Sequence, residues 1–559
     1  MTEDAPKQPV EAGGPGPEES GQGPDELRSG SADGEGPGPS VLGSKPKSLL
    51  VNAGWNVACT MLLMAVALFM APFLIHRIGD DRYGLYMLVF KIIGVLDIMN
   101  LGLAEATLRY VAHYYGRGDL AGIHRVIGST LTVYLITGLG AATALFLAAP
   151  FIAGYIKVPA GDEGLAVNVL RLAGMNFVFL FLSAVFQSIP QALRRYDISG
   201  GTRILQSLCY VAGSVVIVLL GGNVLGLTVW CVVTSIFTLV VAAARAKQLL
   251  PSISLRPDPS LSGLREIFGF GFYMFIAMVF SMAWNYTDSL LLGFLVSTGA
   301  VAYLTVPQNI GSRVHRMALE SGWVLFPRTS AMTSEEEMRK LYVGSVWTLL
   351  VLTAVMFVPM VVLIPDFLRL WISPEFAGKS AFVGQLVTAS LVAAGAFVPH
   401  NAVLRGLGKG KIVAKLAASG SVIAVGINVV LISKYGLSGA GYASFVLPVW
   451  GLVGLVVTWR AVLGMKETWP LVRVVGVPAG LAYGSLVLFL WARTAFSGTI
   501  GWVGLFAWAG TMLAVTGGLL VAAEWLLGGA GSQLRVVLEY GANLWARRRS
   551  RLNAAQGNS

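Results

Sequence analysis

Lys91 and Asp97 are charged residues in the middle of the mainly apolar stretch 84–112. If this stretch crosses a membrane as one helix, both charges lie at hydrocarbon depth, where a charged side chain costs about 2.5 to 3.5 kcal/mol on insertion scales. Residues that carry such a cost usually face a polar cavity and mark a path for a charged solute. Because they are six positions apart, they lie on different sides of the helix and each needs a further partner.

A second group of charges, Arg313, Arg316 and Glu320, lies in another apolar stretch at spacings of three and four residues. This spacing places all three side chains on one helical face, which cannot meet lipid without a large cost. Two interpretations remain open. The face either forms an internal Arg–Glu bridge that pins neighbouring helices, or it forms a cationic wall for an anionic ligand.

Arg171 and Asp288 are further charged residues inside predicted spans. Arg171 is nearest to a predicted helix end, from which its long side chain can extend to the membrane interface. Asp97, Asp288 and Glu320 are the three carboxylates that could couple transport to a cation, and each could instead hold neighbouring helices together.

The overall composition explains why these charges are informative. The 559-residue chain has a mean hydropathy of +0.70, with 55% hydrophobic and only 12% charged residues, which is typical of an integral membrane protein. The net charge of +11 therefore does not indicate a nucleic-acid partner. The three cysteines lie in apolar runs without metal-ligand spacing, so neither a disulfide framework nor a zinc site is predicted.

The sequence contains no enzyme signature. The basic glycine turn GLGKGK at 406–411 lacks the spacing of a phosphate-binding loop, so ATP hydrolysis is not supported. We expect neither a catalytic residue nor a cofactor nor a metal.

The elements that position the charges are long apolar runs, each sufficient to cross a hydrocarbon core of about 30 Å as a helix. The fold class predicted is an all-α integral membrane protein with about fourteen transmembrane helices. The predicted spans are 49–75, 84–112, 124–153, 165–189, 202–221, 224–244, 267–296, 300–327, 341–365, 380–404, 412–433, 437–459, 471–492 and 501–527.

A weak internal repeat divides these spans into two pseudo-repeated six-helix lobes and a terminal pair. The stretches 78–86 and 296–303 each join the first and second helices of a lobe, and repeats of this kind commonly enclose a site at their interface. The predicted divisions are a disordered tail 1–47, an N-terminal lobe 48–246, a linker 247–264, a C-terminal lobe 265–462, a helix pair 463–530 and a basic tail 531–559.

The distribution of basic residues predicts the orientation in the membrane. Alternate loops and helix ends on one side carry 20 Lys and Arg residues, against 7 on the other side. By the positive-inside rule, the richer side and both termini lie in the cytoplasm.

Several sequence stretches resemble one transporter family. These are the helix around Asn56, IGDDRYGLY at 78–86, VLDIMNLGLAEATLRYVA at 95–112 and the basic turn RRYD at 194–197. Together they resemble polysaccharide flippases of the Wzx type, within the multidrug/oligosaccharidyl-lipid/polysaccharide exporter superfamily. The resemblance covers roughly residues 48–530.

This resemblance implies two six-helix lobes around a cationic cavity and transport by alternating access in the cell membrane. The substrate implied is a polyprenyl-diphosphate-linked oligosaccharide, which moves from the inner to the outer leaflet. Its diphosphate would bind Lys91, Arg313, Arg316 and Arg171. Membrane lipids and proteins of polysaccharide synthesis and polymerisation are the expected partners. Aromatic side chains that either stack on sugar rings or pack within the bundle are Trp55, Trp284, Tyr286 and Trp323.

Two alternative functions remain at this stage. A cation-coupled multidrug exporter of the same fold would use Asp97, Asp288 and Glu320 as coupling carboxylates. A scaffold for envelope synthesis that does not transport would make all of these charges structural.

The predicted orientation can be tested by cysteine labelling. In a variant without the native thiols, Ser373→Cys should react with an impermeant maleimide in intact cells, whereas Ser334→Cys should react only after permeabilisation. The basic bias places residue 334 inside and residue 373 outside. Equal labelling of both cysteines in intact cells would contradict the orientation.

Overall fold

The computed structural model describes residues 69–528, except for 101–102, 194, 253–255, 259, 332–334, 408, 463, 465–471 and 497. Within these ranges the chain is helical with short turns, and no strand occurs among the described residues. The helices in chain order are α1 Phe69–Ile78, α2 Asp80–Leu96, α3 Leu103–Gly116, α4 Leu120–Tyr155, α5 Glu163–Ala192, α6 Tyr196–Leu219, α7 Val224–Leu249, α8 Leu261–Leu295, α9 Thr298–Ala331, α10 Glu335–Trp371, α11 Pro374–Gly395, α12 Val398–Gly406, α13 Gly410–Ser444, α14 Val446–Val457, α15 Val477–Ala495 and α16 Trp502–Gly528.

The all-α membrane fold that the sequence predicts is confirmed. Ten segments of the described residues are long and apolar enough to cross a membrane. One of them, Gly410–Arg460, contains two predicted spans, because Gly436 has a φ of 56° and turns the chain between them. Only Phe69–Ile78 of the first predicted span is described, and the predicted tails 1–47 and 531–559 lie outside the described residues.

Side-chain caps set the starts of several helices. Asp119 Oδ1 accepts a hydrogen bond from the Gly122 amide at 2.8 Å and starts α4. Asn223 caps α7 by accepting from the Leu225 amide at 3.0 Å. Such side chains satisfy amides that have no partner within the helix. They explain why the spanning helices begin in the short polar breaks of the sequence.

The continuous helix predicted over residues 84–112 is wrong. The helix α2 ends at Leu96, Asp97–Asn100 form a 3₁₀ turn, and α3 begins at Leu103. Asn100 Oδ1 accepts hydrogen bonds from the Ala104 amide and from the Tyr134 hydroxyl. A side chain that binds a nearby amide in this way competes with a continuous helix. Lys91 therefore lies on α2, whereas Asp97 lies in the turn that follows it.

The helices pack in two groups joined mainly by α2 and α8. In the first group α5 packs on α4 and α7, and in the second group α9 packs on α11 and α12. Between the groups, α2 contacts α8 and α9, while α8 also contacts α3 and α4. We call α1–α7 the first block and α8–α14 the second block. Large apolar side chains such as Phe151 and Val503 are exposed on the outside, as lipid-facing positions require.

The terminal helices α15 and α16 pack on α10. Asp366 on α10 accepts two hydrogen bonds from Arg493 on α15, at 2.9 and 2.7 Å. Arg369 lies 3.5 Å from the same carboxylate and donates to the Ile500 carbonyl at 2.8 Å. One buried carboxylate thus links α10 to α15 and to the turn before α16.

Removal of the arginine partner should destabilise this junction. Arg493→Gln leaves the buried Asp366 carboxylate with a weaker set of donors and should lower the free energy of unfolding by about 2 to 4 kcal/mol. The double variant Asp366→Asn/Arg493→Gln should recover part of the loss, because no uncompensated charge remains. Thermal unfolding in detergent measures both effects.

Lys340→Gln provides the control for this experiment, because Lys340 forms its ion pair with Glu336 at an exposed surface, where such pairs contribute little. An equal effect of Arg493→Gln and Lys340→Gln would show that the Asp366 cluster does not stabilise the junction.

Candidate functional site

Lys91 and Asp97 flank the same aromatic side chain of the opposite block. Tyr286 of α8 rests on Gly94 of α2, where an added Cβ would lie 2.6 Å from the ring carbon Cζ. Lys91 Nζ lies 5.6 Å from the centre of the Tyr286 ring, within the range of a cation–π contact. The Asp97 carboxylate lies close enough to act electrostatically on the Tyr286 phenol. The two charges therefore share one neighbour across the block interface.

The two arginines of α9 have a different environment. Arg313 is partly buried and Arg316 is exposed, and among the described side chains neither makes an ion pair or a hydrogen bond. They lie close enough to repel each other. The opposite side of α9 packs on α11, where an added Cβ at Gly311 would lie 3.1 Å from Thr388 Cα. The side chain of Glu320, the predicted bridge partner, lies outside the described ones.

Lys91 on α2 and the two arginines on α9 lie at successive levels along these two helices, which contact each other. The first turns of α2 and α9 meet, since an added Cβ at Gly84 would lie 1.8 Å from the Thr298 carbonyl oxygen. Measured from that level at 1.5 Å per helical residue, Lys91 lies about 10 Å deep, Arg313 about 22 Å and Arg316 about 27 Å. Positive charge therefore recurs at three levels along α2 and α9.

Asp288 has its partners within the second block. Its carboxylate accepts a hydrogen bond from Gln308 Nε2 at 2.8 Å and from the Ser289 amide and hydroxyl. These donors compensate the carboxylate and tie α8 to α9. The neighbouring Asn285 donates to the Ser281 carbonyl of its own helix at 2.6 Å.

Arg171 lies apart from the other three cations. Its guanidinium carbon is 4.6 Å from the centre of the Phe146 ring on α4, and 45% of Phe146 is exposed. The contact belongs to the α4–α5 surface of the first block, whereas the other three cations lie on α2 and α9. The structure thus brings Arg171 to an aromatic ring rather than to Lys91.

The predicted aromatic residues have different positions. Tyr286 lies at the block interface, as described above, and Trp284 is partly buried on the same helix. Trp55 and the side chain of Trp323 lie outside the described part of the chain.

A polar contact that the sequence analysis missed closes the interface at the starts of α2 and α9. Asp80 Oδ2 accepts a hydrogen bond from the Tyr303 hydroxyl at 2.8 Å. Lys379 Nζ of α11 donates to the same Tyr303 oxygen at 3.0 Å. One tyrosine thus connects a carboxylate of the first block to an ammonium group of the second.

Backbone contacts reinforce this closure. The Lys157 amide donates to the Gly293 carbonyl at 3.0 Å, and the Thr298 amide donates to the Lys157 carbonyl at 3.1 Å. Gly84 rests directly on the Thr298 carbonyl. We call this set the α2–α9 latch; it consists of Asp80, Gly84, Lys157, Gly293, Thr298, Tyr303 and Lys379. It lies on the side that the charge bias predicts to be external.

The side chains of Lys91, Arg313 and Arg316 have the chemistry that anion binding requires. Lysine and arginine donate charge-assisted hydrogen bonds to phosphate, and the planar guanidinium can do so through two parallel bonds. Within the described ranges, no group of three His, Cys, Asp or Glu side chains could hold a metal ion.

Comparisons with known proteins identify the family and the fold. A family model described as "Polysaccharide biosynthesis protein" matches residues 49–333. A putative O-antigen transporter of Shigella flexneri is 19% identical over 405 residues, which cover 70% of this chain and 93% of that protein.

Two solved structures show the same fold. The lipid II flippase MurJ in an inward closed conformation has a TM-score of 0.68 at 12% identity, over 86% of this chain and 100% of that one. An inward-facing multidrug resistance MATE family transporter of the MOP superfamily has a TM-score of 0.60 at 16% identity, over 76% of this chain and 94% of that one. At sequence identities of 12% and 16%, the similarity to these two structures shows the fold alone.

The latch makes a direct prediction for Gly84. In Gly84→Ala the new Cβ would collide with the Thr298 carbonyl, so α2 and α9 must separate at this end. Cross-linking between cysteines introduced at Asp81 and Gly299, which are in contact in the closed latch, should fall by about half or more.

Gly140→Ala is the matched control, because nothing lies within 4 Å of an added Cβ at this helical glycine. Equal cross-linking in both alanine variants would show that the Gly84 contact does not hold the blocks together.

Proposed function

The chain belongs to the polysaccharide biosynthesis protein family, and we propose that it transports a polyprenyl-diphosphate-linked oligosaccharide across the cytoplasmic membrane. In this proposal both termini lie in the cytoplasm and the substrate moves from the inner to the outer leaflet. The two blocks move relative to each other, so that the interface between them opens alternately to either side.

The observation that carries this proposal is the series of cations on α2 and α9. Among the described side chains Arg313 and Arg316 have no acidic partner, so an anionic substrate would supply the charge that compensates them inside the membrane. A diphosphate head carries the opposite charge and cannot cross hydrocarbon unaided. Guanidinium groups can replace its lost hydration by bidentate hydrogen bonds.

The depths of the cations suggest an order of contacts. A head group that enters from the predicted cytoplasmic side meets Arg316 and Arg313 first and then Lys91, which lies nearer to the latch. Lys91 is held by a tyrosine ring rather than by a carboxylate, so an anion can replace this contact without breaking an ion pair. Release then requires the latch to open.

The latch supports alternating access because its contacts are ones that water can replace. Opening would expose Asp80, Tyr303 and Lys379, which can all be solvated at the membrane surface. The two backbone hydrogen bonds of Lys157 would also be replaced by hydrogen bonds to water. Since the net contribution of such a bond is only about 0.5 to 1.5 kcal/mol, the closed and open states can differ by a few kcal/mol, as a transporter requires.

The positions of Asp97 and Asp288 suit a structural role better than a role in coupling transport to a cation. Asp288 is engaged by Gln308 and Ser289, and Asp97 lies in the turn that ends α2. This arrangement favours the flippase over a cation-coupled drug exporter. Transport needs no catalytic group, and we propose that proteins of polysaccharide synthesis and polymerisation supply and receive the substrate.

Translocation of a lipid-linked oligosaccharide into proteoliposomes, normalised to folded protein, tests the proposal. Each Arg→Gln change at Arg313 or Arg316 should slow translocation by about tenfold, the equivalent of one charge-assisted hydrogen bond. Arg316→Lys should restore only part of the rate, because an ammonium group lacks the planar fork. Lys411→Gln, which removes an exposed charge at the start of α13, should have no effect.

A structural bridge to Glu320 would behave differently. Arg316→Gln would then lower thermal stability, and Arg316→Gln/Glu320→Gln would recover stability and translocation together. Normal translocation by the variant Arg313→Gln/Arg316→Gln would remove this face of α9 from the substrate path.

A further inference from the structure

A cleft lies between the start of α6 and the end of α7, on the outside of the first block. Its volume is about 220 Å³. Because α6 begins at Tyr196 and α7 ends at Leu249, the cleft lies at the membrane boundary that the charge bias assigns to the cytoplasm. The residues that line it are Asp197, Ile198, Gly201, Thr202, Leu205, Val241 and Arg245.

The mouth of this α6–α7 cleft carries a net positive charge. Both carboxylate oxygens of Asp197 bind Arg195, at 3.0 and 3.1 Å, so this pair is neutral as a unit. Arg245 lines the cleft, is exposed, and within the described ranges makes no ion pair. Its guanidinium charge is therefore available to an anion at the membrane surface.

The inner part of the cleft is apolar and has free space. Ile198, Leu205 and Val241 form its walls. An added Cβ at Gly201 would meet nothing within 4 Å, so this glycine opens the slot between the helices. Leu205 and Leu208 are 40% and 46% exposed on the same helix, and they continue the apolar surface toward the membrane interior.

We propose that the α6–α7 cleft binds an anionic phospholipid of the cytoplasmic leaflet. The phosphodiester accepts hydrogen bonds from Arg245, and an acyl chain lies over Gly201 along Leu205 and Leu208. A cationic mouth at the interface above an apolar slot matches the two chemical parts of such a lipid. Basic pockets between membrane helices on the cytoplasmic side recognise lipid head groups in this way.

This site is separate from the proposed substrate path. Neither α6 nor α7 carries Lys91, Arg313 or Arg316, and all residues that line the cleft belong to α6 and α7. The inference therefore does not rest on the proposed function, and loss of this lipid site would leave the α9 arginines unchanged.

Native mass spectrometry and thermal unfolding of the full chain test this site. Protein in phosphatidylcholine nanodiscs is titrated with phosphatidylglycerol. One phosphatidylglycerol should bind and raise the unfolding temperature, and Arg245→Gln should weaken its binding by about fivefold to tenfold. Gly201→Leu, whose Cβ would meet nothing within 4 Å, should fill the slot and also prevent binding while the protein folds normally.

Lys247→Gln is the matched control. It removes one positive charge from the last turn of the same helix, but Lys247 does not line the cleft. Equal weakening by Arg245→Gln and Lys247→Gln, or unchanged binding by Gly201→Leu, would overturn the proposal.

Two further probes distinguish the source of the phosphate. Inorganic phosphate that stabilised the protein as strongly as phosphatidylglycerol would overturn the lipid assignment. Undecaprenyl diphosphate that displaced the bound phosphatidylglycerol stoichiometrically would overturn it in favour of a second substrate position.

Discussion

The structure depends on how charge is placed inside hydrocarbon. Asp366 is compensated by arginines of its own and a neighbouring helix, and Asp288 is compensated by amide and hydroxyl donors. Lys91 rests on the ring of Tyr286. Arg313 and Arg316 differ from all of these, because their compensation does not come from any described side chain. Partners offset the desolvation cost of the other buried charges, and in the proposed function an anionic substrate does so for the two α9 arginines.

The interface between the blocks combines close backbone contact with exchangeable polar contacts. Glycines at positions 84 and 94 let α2 approach α9 and α8 closely, so small displacements there have large steric consequences. The bonds among Asp80, Tyr303 and Lys379 can be replaced by water at the membrane surface. Such an interface can be tight in one state and open in another, because its apolar packing is local and water can replace its exchangeable polar contacts.

Much of the fold could be predicted from the sequence, because the cost of burying polar groups in lipid acts on each segment separately. The long apolar runs coincide with the observed helices, and the resemblance to flippases agrees with the family match. The end of α2 at Leu96 was not predicted, because hydropathy does not register that the Asn100 side chain binds the Ala104 amide. The internal repeat indicates that the stretches 78–86 and 296–303 are equivalent loops. It does not predict that the two loops contact each other.

The sequence by itself determined that this chain spans a membrane as helices and which charges must be explained, since transfer free energies and helical periodicity are local properties. Only the tertiary structure decided what each charge meets. Arg171 faces Phe146, while Lys91 and Asp97 share Tyr286, which lies about two hundred residues away in the chain. Contacts between such distant residues arise from the packing of whole helices, and glycines at the contact points allow the close approach that brings them together.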